Sequence, residues 1–186
     1  MTVKEIQEKS KELMGKAVNH CKTQLEKVRT GRASASLLDD VKIDYYGSPT
    51  PINQVAGISV PDARTIIVQP FDRTVLPLID KAIQAAGLGF NPQNDGQILR
   101  IPVPPLTEER RKEFVKICKK QSEEGKVAIR NIRRDQMENL KKAEKSKEIS
   151  EDDRKRGEDE IQKLTDNYIK EIDIALAAKE KDLTEI

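Results

Sequence analysis

The sequence predicts an α+β protein in which an elongated three-helix bundle carries an inserted small β/α/β domain. Long segments at both ends of the chain repeat apolar residues at three- and four-residue steps, which is typical of helices that bury one stripe. The segment between them holds most of the nine glycines and nearly all of the nine prolines, among short runs rich in β-branched residues. A helix, a complete small domain and two more helices therefore follow one another along the chain.

The first helix is expected over residues 3–30, and Gly31 ends it. Its apolar residues share one stripe, which needs a partner to cover it. The stripe consists of Ile6, Leu13, Ala17, Cys21, Leu25 and Val28. Packing against the other two helices of the same chain would bury it, and an intermolecular coiled coil is the alternative.

The second helix is expected to begin at Thr107, a suitable N-cap, after a proline-rich stretch that opposes helix formation. It continues through the polar residues that end near Lys147. The third helix begins at Ser150, whose hydroxyl and the acid three residues later match a capping box. The inward face expected for the second helix is Phe114, Ile117, Cys118, Gln121, Gly125, Ala128 and Ile132. The seam expected for the third is Ile161, Leu164, Tyr168, Ile172, Ala175 and Leu183.

The insert is predicted to contain strands at residues 41–46, 57–60, 65–69 and 98–101, with a short helix at 74–86. The bundle then comprises residues 1–31 and 105–186, and the insert comprises residues 32–104. Two segments of chain join the domains, and a paired connection of this kind permits hinge motion. The expected hinge residues are Gly31, Arg32, Ala33, Pro104 and Pro105.

The second helix also has a basic side. Six cations fall within an arc of roughly 100° when successive residues are placed ~100° apart around the helix axis. They are Arg111, Lys112, Lys119, Lys126, Arg130 and Arg133. Between Arg111 and Arg133 no Asp or Glu falls within the arc, although the chain as a whole carries 34 basic and 32 acidic residues. This sorting of charge indicates a surface for a polyanion, and a solvated helix flank is the alternative.

Composition and motifs limit the classes of function that the chain can have. Aromatic residues make up only 3% of the chain, too few for a platform that stacks bases, so an RNA partner would be contacted through its backbone and shape. No phosphate-binding loop, metal-ligand spacing or nucleophile–histidine pair is present in the sequence, which predicts a protein that is not an enzyme and needs no cofactor or metal.

Cys21 and Cys118 are expected to be reduced core residues, and His20 is expected to be structural. Because the sequence has neither a signal peptide nor a membrane span, we expect a cytoplasmic protein.

Seven segments, in order from end to end, resemble the ribosome recycling factor family. They are residues 28–34 (VRTGRAS), 45–51 (YYGSPTP), 71–73 (FDR), 104–112 (PPLTEERRK), 130–135 (RNIRRD), 147–153 (KEISEDD) and 162–166 (QKLTD). The resemblance implies a three-helix bundle and a β/α/β insert arranged as an L likened to tRNA. It also implies a monomer.

The resemblance further implies a translation factor that binds the ribosome after termination. With elongation factor G and GTP hydrolysis by that partner, such a factor splits the post-termination ribosome into subunits and releases it from mRNA. By motif, the resemblance assigns large-subunit rRNA binding to Arg111, Arg130 and Arg133, with Lys112, Lys119 and Lys126 as weaker candidates. The alternatives left by the residues themselves are a coiled-coil scaffold and a general RNA-binding helical protein.

Overall fold

The computed structural model describes residues 1–185, and the contacts between these residues divide the chain into two units. One unit comprises Met1–Thr30 together with the chain from Glu108 onward, and the other comprises Gly31–Thr107. Each unit has a hydrophobic core of its own. The divisions lie at residues 30/31 and 107/108, where the sequence predicts them at 31/32 and 104/105.

The helices and strands follow the predicted order. They are α1 (Val3–Glu26), β1 (Lys42–Tyr45), β2 (Ser48–Pro51), α2 (Ile52–Val55), β3 (Ala56–Asp62), β4 (Thr65–Pro70), α3 (Leu76–Ala85), β5 (Gln93–Asn94), β6 (Leu99–Pro102), α4 (Glu108–Lys145) and α5 (Glu151–Thr184). In the first unit α1, α4 and α5 pack against one another in all three pairs. This arrangement confirms the predicted three-helix bundle. Between residues 1 and 185, no helix is both long and apolar enough to cross a membrane.

Side chains cap the first turns of two bundle helices. Thr2 Oγ1 accepts a hydrogen bond from the backbone N–H of Glu5 at 3.3 Å, and the Glu5 carboxylate accepts one from the Thr2 N–H at 2.8 Å. At the start of α5, Ser150 Oγ accepts from the Asp153 N–H at 3.1 Å and Asp153 accepts from the Ser150 N–H at 3.4 Å. The capping box predicted at Ser150 is confirmed.

Replacing Ser150 with Ala is expected to lower the free energy of unfolding by about 1 kcal/mol, because the N–H of Asp153 loses its acceptor at the helix end. Urea unfolding followed by circular dichroism measures the change. Ser150→Thr keeps a hydroxyl acceptor and should retain most of the stability. Equal stability of Ser150→Ala and the unchanged protein would contradict this assignment of the cap.

The buried stripe of α4 differs from the expected inward face. It consists of Cys118, Ser122, Ile129, Gln136, Leu140 and Ala143. Ile117, expected to point inward, is 43% exposed, so that part of the prediction is wrong. At ~100° per residue the observed stripe lies roughly 60° closer to the basic arc than the expected one. The buried polar residues Ser122 and Gln136 belong to this stripe, and a count of apolar residues could not include them.

Three of the four buried polar side chains of the bundle bond within their own helices, whereas Ser122 Oγ has no hydrogen-bond partner within residues 1–185. Ser10 Oγ donates to the Ile6 carbonyl at 2.7 Å, and Thr165 Oγ1 donates to the Ile161 carbonyl at 2.8 Å. Gln136, which is 3% exposed, accepts from the Asn139 side chain at 3.3 Å. Burial of these three groups costs little because each has a partner.

The second unit contains a hairpin and a sheet. β1 and β2 pair antiparallel, and β3, β4, β6 and β5 form an antiparallel sheet in that order within the described chain. The predicted strands at 41–46, 57–60, 65–69 and 98–101 correspond to β1, β3, β4 and β6. The sequence prediction misses β2 because Pro49 and Pro51 oppose an interior strand. Prolines are tolerated on edge strands, and β2 pairs only with β1.

The core of this unit lies among the sheet, the hairpin and α3. Ile66 and Val68 of β4 are fully buried two residues apart, as alternation along a strand requires. Ile79 and Ile83 of α3 are fully buried four residues apart, on one face of the helix. Pro77 stands in the first turn of α3, as predicted.

The predicted hinge residues all lie in the second unit, at its two ends. Gly31 has φ +76°, a conformation that favours glycine. A Cβ built on Gly31 would come within 3.0 Å of Leu106 Cγ and 3.3 Å of the Leu106 nitrogen. The first and last segments of this unit therefore touch at Gly31. Hinge motion at Gly31, Arg32, Ala33, Pro104 and Pro105 stays a prediction.

Candidate nucleic-acid interface

All six cations of the predicted arc lie on α4, but the structure places them in different environments. Arg111 and Arg130 are 19 residues apart, which corresponds to about 28 Å along a helix. Arg111, Lys126 and Arg133 are half-buried, since the buried stripe of α4 runs beside them. The arc is therefore the border between the packed and the solvated sides of α4.

The three lysines are paired with carboxylates. Lys126, whose side chain is only 18% exposed, contacts Asp173 of α5. Lys119 Nζ lies 4.0 Å from Glu180 of α5. Lys112 Nζ lies 3.4 Å from Glu108 within α4, and both side chains are largely exposed. Two of these carboxylates come from α5 and one comes from α4 itself, so two of the three lysines link helices.

Arg111 packs into the bundle instead of projecting freely into solvent. Its Nε atom is buried and has no hydrogen-bond partner among residues 1–185. Burial of this unsatisfied donor costs free energy. An RNA role for Arg111 stays a prediction.

Arg130 and Arg133 line an open groove near the end of the bundle where α4 turns into α5. The other lining residues are Arg134, Met137, Glu138, Lys141 and Glu158. Arg130 pairs with Glu123 at 3.0 Å, and both side chains are at least half exposed, so the pair is weak. Arg133, Arg134 and Lys141 make no ion pair with any residue in 1–185. The structure thus brings two of the three predicted arginines together and adds two cations.

The predicted arc includes neither Arg134 nor Lys141. At ~100° per residue Arg134 lies at about 140° and Lys141 at about 120° from Arg111, just beyond the arc. A wider arc over the last three turns of α4 would have included both. Glu158 could not be found from α4 alone, because it reaches the groove from α5.

The two cysteines are buried, as predicted, and burial raises the pKa of the Cys21 and Cys118 thiols. Both thiols are therefore protonated at neutral pH, the form that suits a packed core residue. Cys21 Sγ lies 3.6 Å from the Gln121 carbonyl of α4. His20 is exposed. Residues 1–185 hold no group of three or more His, Cys, Asp or Glu placed to bind a metal.

Comparison with known proteins identifies the family. A sequence model described as ribosome recycling factor matches residues 21–184. This chain belongs to the ribosome recycling factor family. The ribosome-recycling factor of Oleidesulfovibrio alaskensis is 56% identical over 177 residues, which cover 95% of this chain and 96% of that protein. The resemblance found in the sequence is confirmed.

Two solved structures of ribosome recycling factors resemble this chain. One is a solution structure with a TM-score of 0.77 and 41% identity, covering 99% of this chain and 98% of the other. The second has a TM-score of 0.66 and 45% identity, covering 98% and 99%. It belongs to models for the T. thermophilus ribosome recycling factor and the E. coli elongation factor G bound to the E. coli post-termination complex. The predicted α+β fold class is confirmed by these members of the ribosome recycling factor family.

Proposed function

We propose that this chain recycles ribosomes after termination. It binds the post-termination ribosome and, with elongation factor G and GTP, splits it into subunits and releases it from mRNA. Membership of the ribosome recycling factor family over nearly the whole chain supports this function. The T. thermophilus recycling factor is described together with elongation factor G, bound to the post-termination complex, which supports the same two partners here.

The cationic groove at the end of α4 is the structural feature that best supports the proposal. Arg130 and Arg133 bind large-subunit rRNA there, and Arg111 marks the other end of the same surface. Arginine suits this role because its planar guanidinium stays charged and donates several hydrogen bonds to phosphate oxygens. Lys119 and Lys126 contribute mainly to bundle packing, since each already meets a carboxylate of α5.

The proposed division of labour gives this chain binding and force transmission and leaves GTP hydrolysis to elongation factor G. The bundle supplies the anchored part because α1, α4 and α5 all pack against each other. The chain acts as a monomer in the cytoplasm, where translating ribosomes are found. It performs no covalent step itself.

Conversion of ribosomes into subunits tests the function. Purified post-termination ribosomes are mixed with the chain, elongation factor G and GTP, and light scattering follows the loss of 70S particles. We expect splitting that requires all three additions. Omission of the chain, or replacement of GTP by a non-hydrolysable analogue, serves as the control. No splitting with the folded chain and an active elongation factor G would overturn the proposal.

A further inference from the structure

The groove between α4 and α5 contains more positive charge than the predicted rRNA site uses. Arg134 and Lys141 line it beside Arg130 and Arg133, and neither has an ion-pair partner within residues 1–185. Arg134 is one residue from Arg133, and Lys141 lies two helical turns beyond it on a neighbouring row of α4. Four cations therefore line one concave surface.

Two acids also line this groove, and each has a cationic partner outside it. Glu138 lies 3.2 Å from Lys142, with both side chains largely exposed. Glu158 Oε1 accepts a hydrogen bond from Arg154 at 2.7 Å. Neither Lys142 nor Arg154 is a lining residue. Three of the four lining cations thus have no ion-pair partner within residues 1–185, whereas both lining acids have one.

Arg154 is well placed to hold Glu158. Its side chain is 18% exposed and also contacts Glu144 of α4, so it joins α4 to α5 beside the groove. Partial burial makes this contact stronger than an exposed pair, because less water screens the charges. Arg154 therefore partly offsets the negative charge that Glu158 presents to a ligand in the groove.

We propose that Arg134 and Lys141 bind RNA backbone phosphates in this groove, and that Arg154 keeps the groove cationic by partly offsetting the charge of Glu158. This inference rests on the proposed function, which supplies rRNA as the ligand. Phosphates fit because the lining offers arginines and a lysine over a half-buried methionine, with no stacking surface of aromatic rings among the lining residues. Arg154 is a positioning residue, since it acts through Glu158 and does not line the groove.

The first test measures binding of the full chain to purified large ribosomal subunits across a series of salt concentrations. Arg134→Gln and Lys141→Gln should each weaken binding about threefold to tenfold. Each should also reduce the slope of log affinity against log salt by about 0.7–0.9, the value expected for one lost phosphate contact. Lys120→Gln is the matched control. Lys120 is exposed, lies outside the basic arc about 15 Å before Arg130 along the helix axis, and should leave affinity and slope unchanged.

The second test uses Glu158. Glu158→Gln should tighten binding about twofold to tenfold, because a negative charge leaves the groove. Arg154→Gln should weaken binding by a similar factor, and the double variant Arg154→Gln/Glu158→Gln should restore it. Restoration separates the electrostatic role from a structural one, because the double variant still lacks the contact between Arg154 and Glu144. Circular dichroism of each variant checks that the bundle is folded.

Arg133→Gln distinguishes this inference from the proposed function. If Arg133→Gln weakens binding while Arg134→Gln, Lys141→Gln and Glu158→Gln change neither affinity nor slope, the inference is overturned and the rRNA site stands. If Arg133→Gln has no effect but the Glu158 and Lys141 variants behave as expected, the groove binds RNA without the predicted arginine. Loss of affinity in Lys120→Gln equal to that in Lys141→Gln would also overturn the inference.

Discussion

Arg133→Ala is expected to weaken binding to the large ribosomal subunit by about 1.5–3 kcal/mol, or roughly 10- to 150-fold. The magnitude is that of a charge-assisted hydrogen bond to a phosphate. Among the predicted arginines, Arg133 is the best candidate for a phosphate contact. It is half-buried, it lines the groove, and it has no ion-pair partner within residues 1–185. A partly fixed side chain also loses less conformational entropy on binding than a fully exposed one.

Equilibrium binding of labelled protein to purified subunits at one fixed salt concentration measures this change. Lys120→Ala removes an exposed cation that lies outside the arc and the groove, and it should bind as the unchanged protein does. Unchanged affinity of a folded Arg133→Ala variant would remove Arg133 from the rRNA site. Equal losses in Arg133→Ala and Lys120→Ala would indicate a response to net charge alone.

Gly125→Ala is expected to destabilise the bundle by about 1–3 kcal/mol, although the same change in an exposed helix stabilises a protein by up to ~1 kcal/mol. The reason is the closeness of two other helices. A Cβ on Gly125 would lie 2.8 Å from Cys21 Sγ and 3.0 Å from Cys21 Cβ on α1, and 3.2 Å from Ile172 Cδ1 on α5. Backbone or side chains of a packed core must then shift.

Gly15→Ala provides the matched control for this prediction. A Cβ on Gly15 would meet only the Tyr168 hydroxyl, at 3.7 Å, which is ordinary van der Waals contact. This variant should therefore gain stability from helix propensity. Urea unfolding measured by circular dichroism should shift the two midpoints in opposite directions. A stabilised Gly125→Ala variant would show that α1 and α5 can move away from α4 at little cost.

The sequence is sufficient to predict the three long helices because their caps and apolar repeats are local signals. The capping box at Ser150 and the break after Gly31 lie within a few residues of the observed ends of α5 and α1. The face that α4 buries was predicted less well. Its orientation depends on α1 and α5, which together cover Ser122 and Gln136, and apolar counting excludes both residues.

The candidate rRNA site also depends on contacts between helices that the sequence alone does not give. The cations of α4 can be sorted by angle, and this places Arg130 and Arg133 together on one side. The carboxylates that pair with Lys119 and Lys126 cannot be sorted in this way, because they come from a different helix. Asp173 and Glu180 engage Lys126 and Lys119, and Arg154 engages Glu144, only after α4 and α5 have packed. Pairing across helices is a tertiary property that a helical wheel does not contain.

The buried stripe of α4 constrains the rotation of this helix about its axis but not its length. Seven residues make nearly two turns, so adding or removing seven leaves a helix face rotated by only about 20° while moving everything beyond by about 10.5 Å. Matched changes of this size in the helices would keep the core paired. They would nevertheless carry the groove cations away from Arg111. Packing of the core sets the rotation of α4 about its axis, whereas it does not set the distance between Arg111 and the groove. If both bind rRNA as predicted, ribosome binding should depend on that distance.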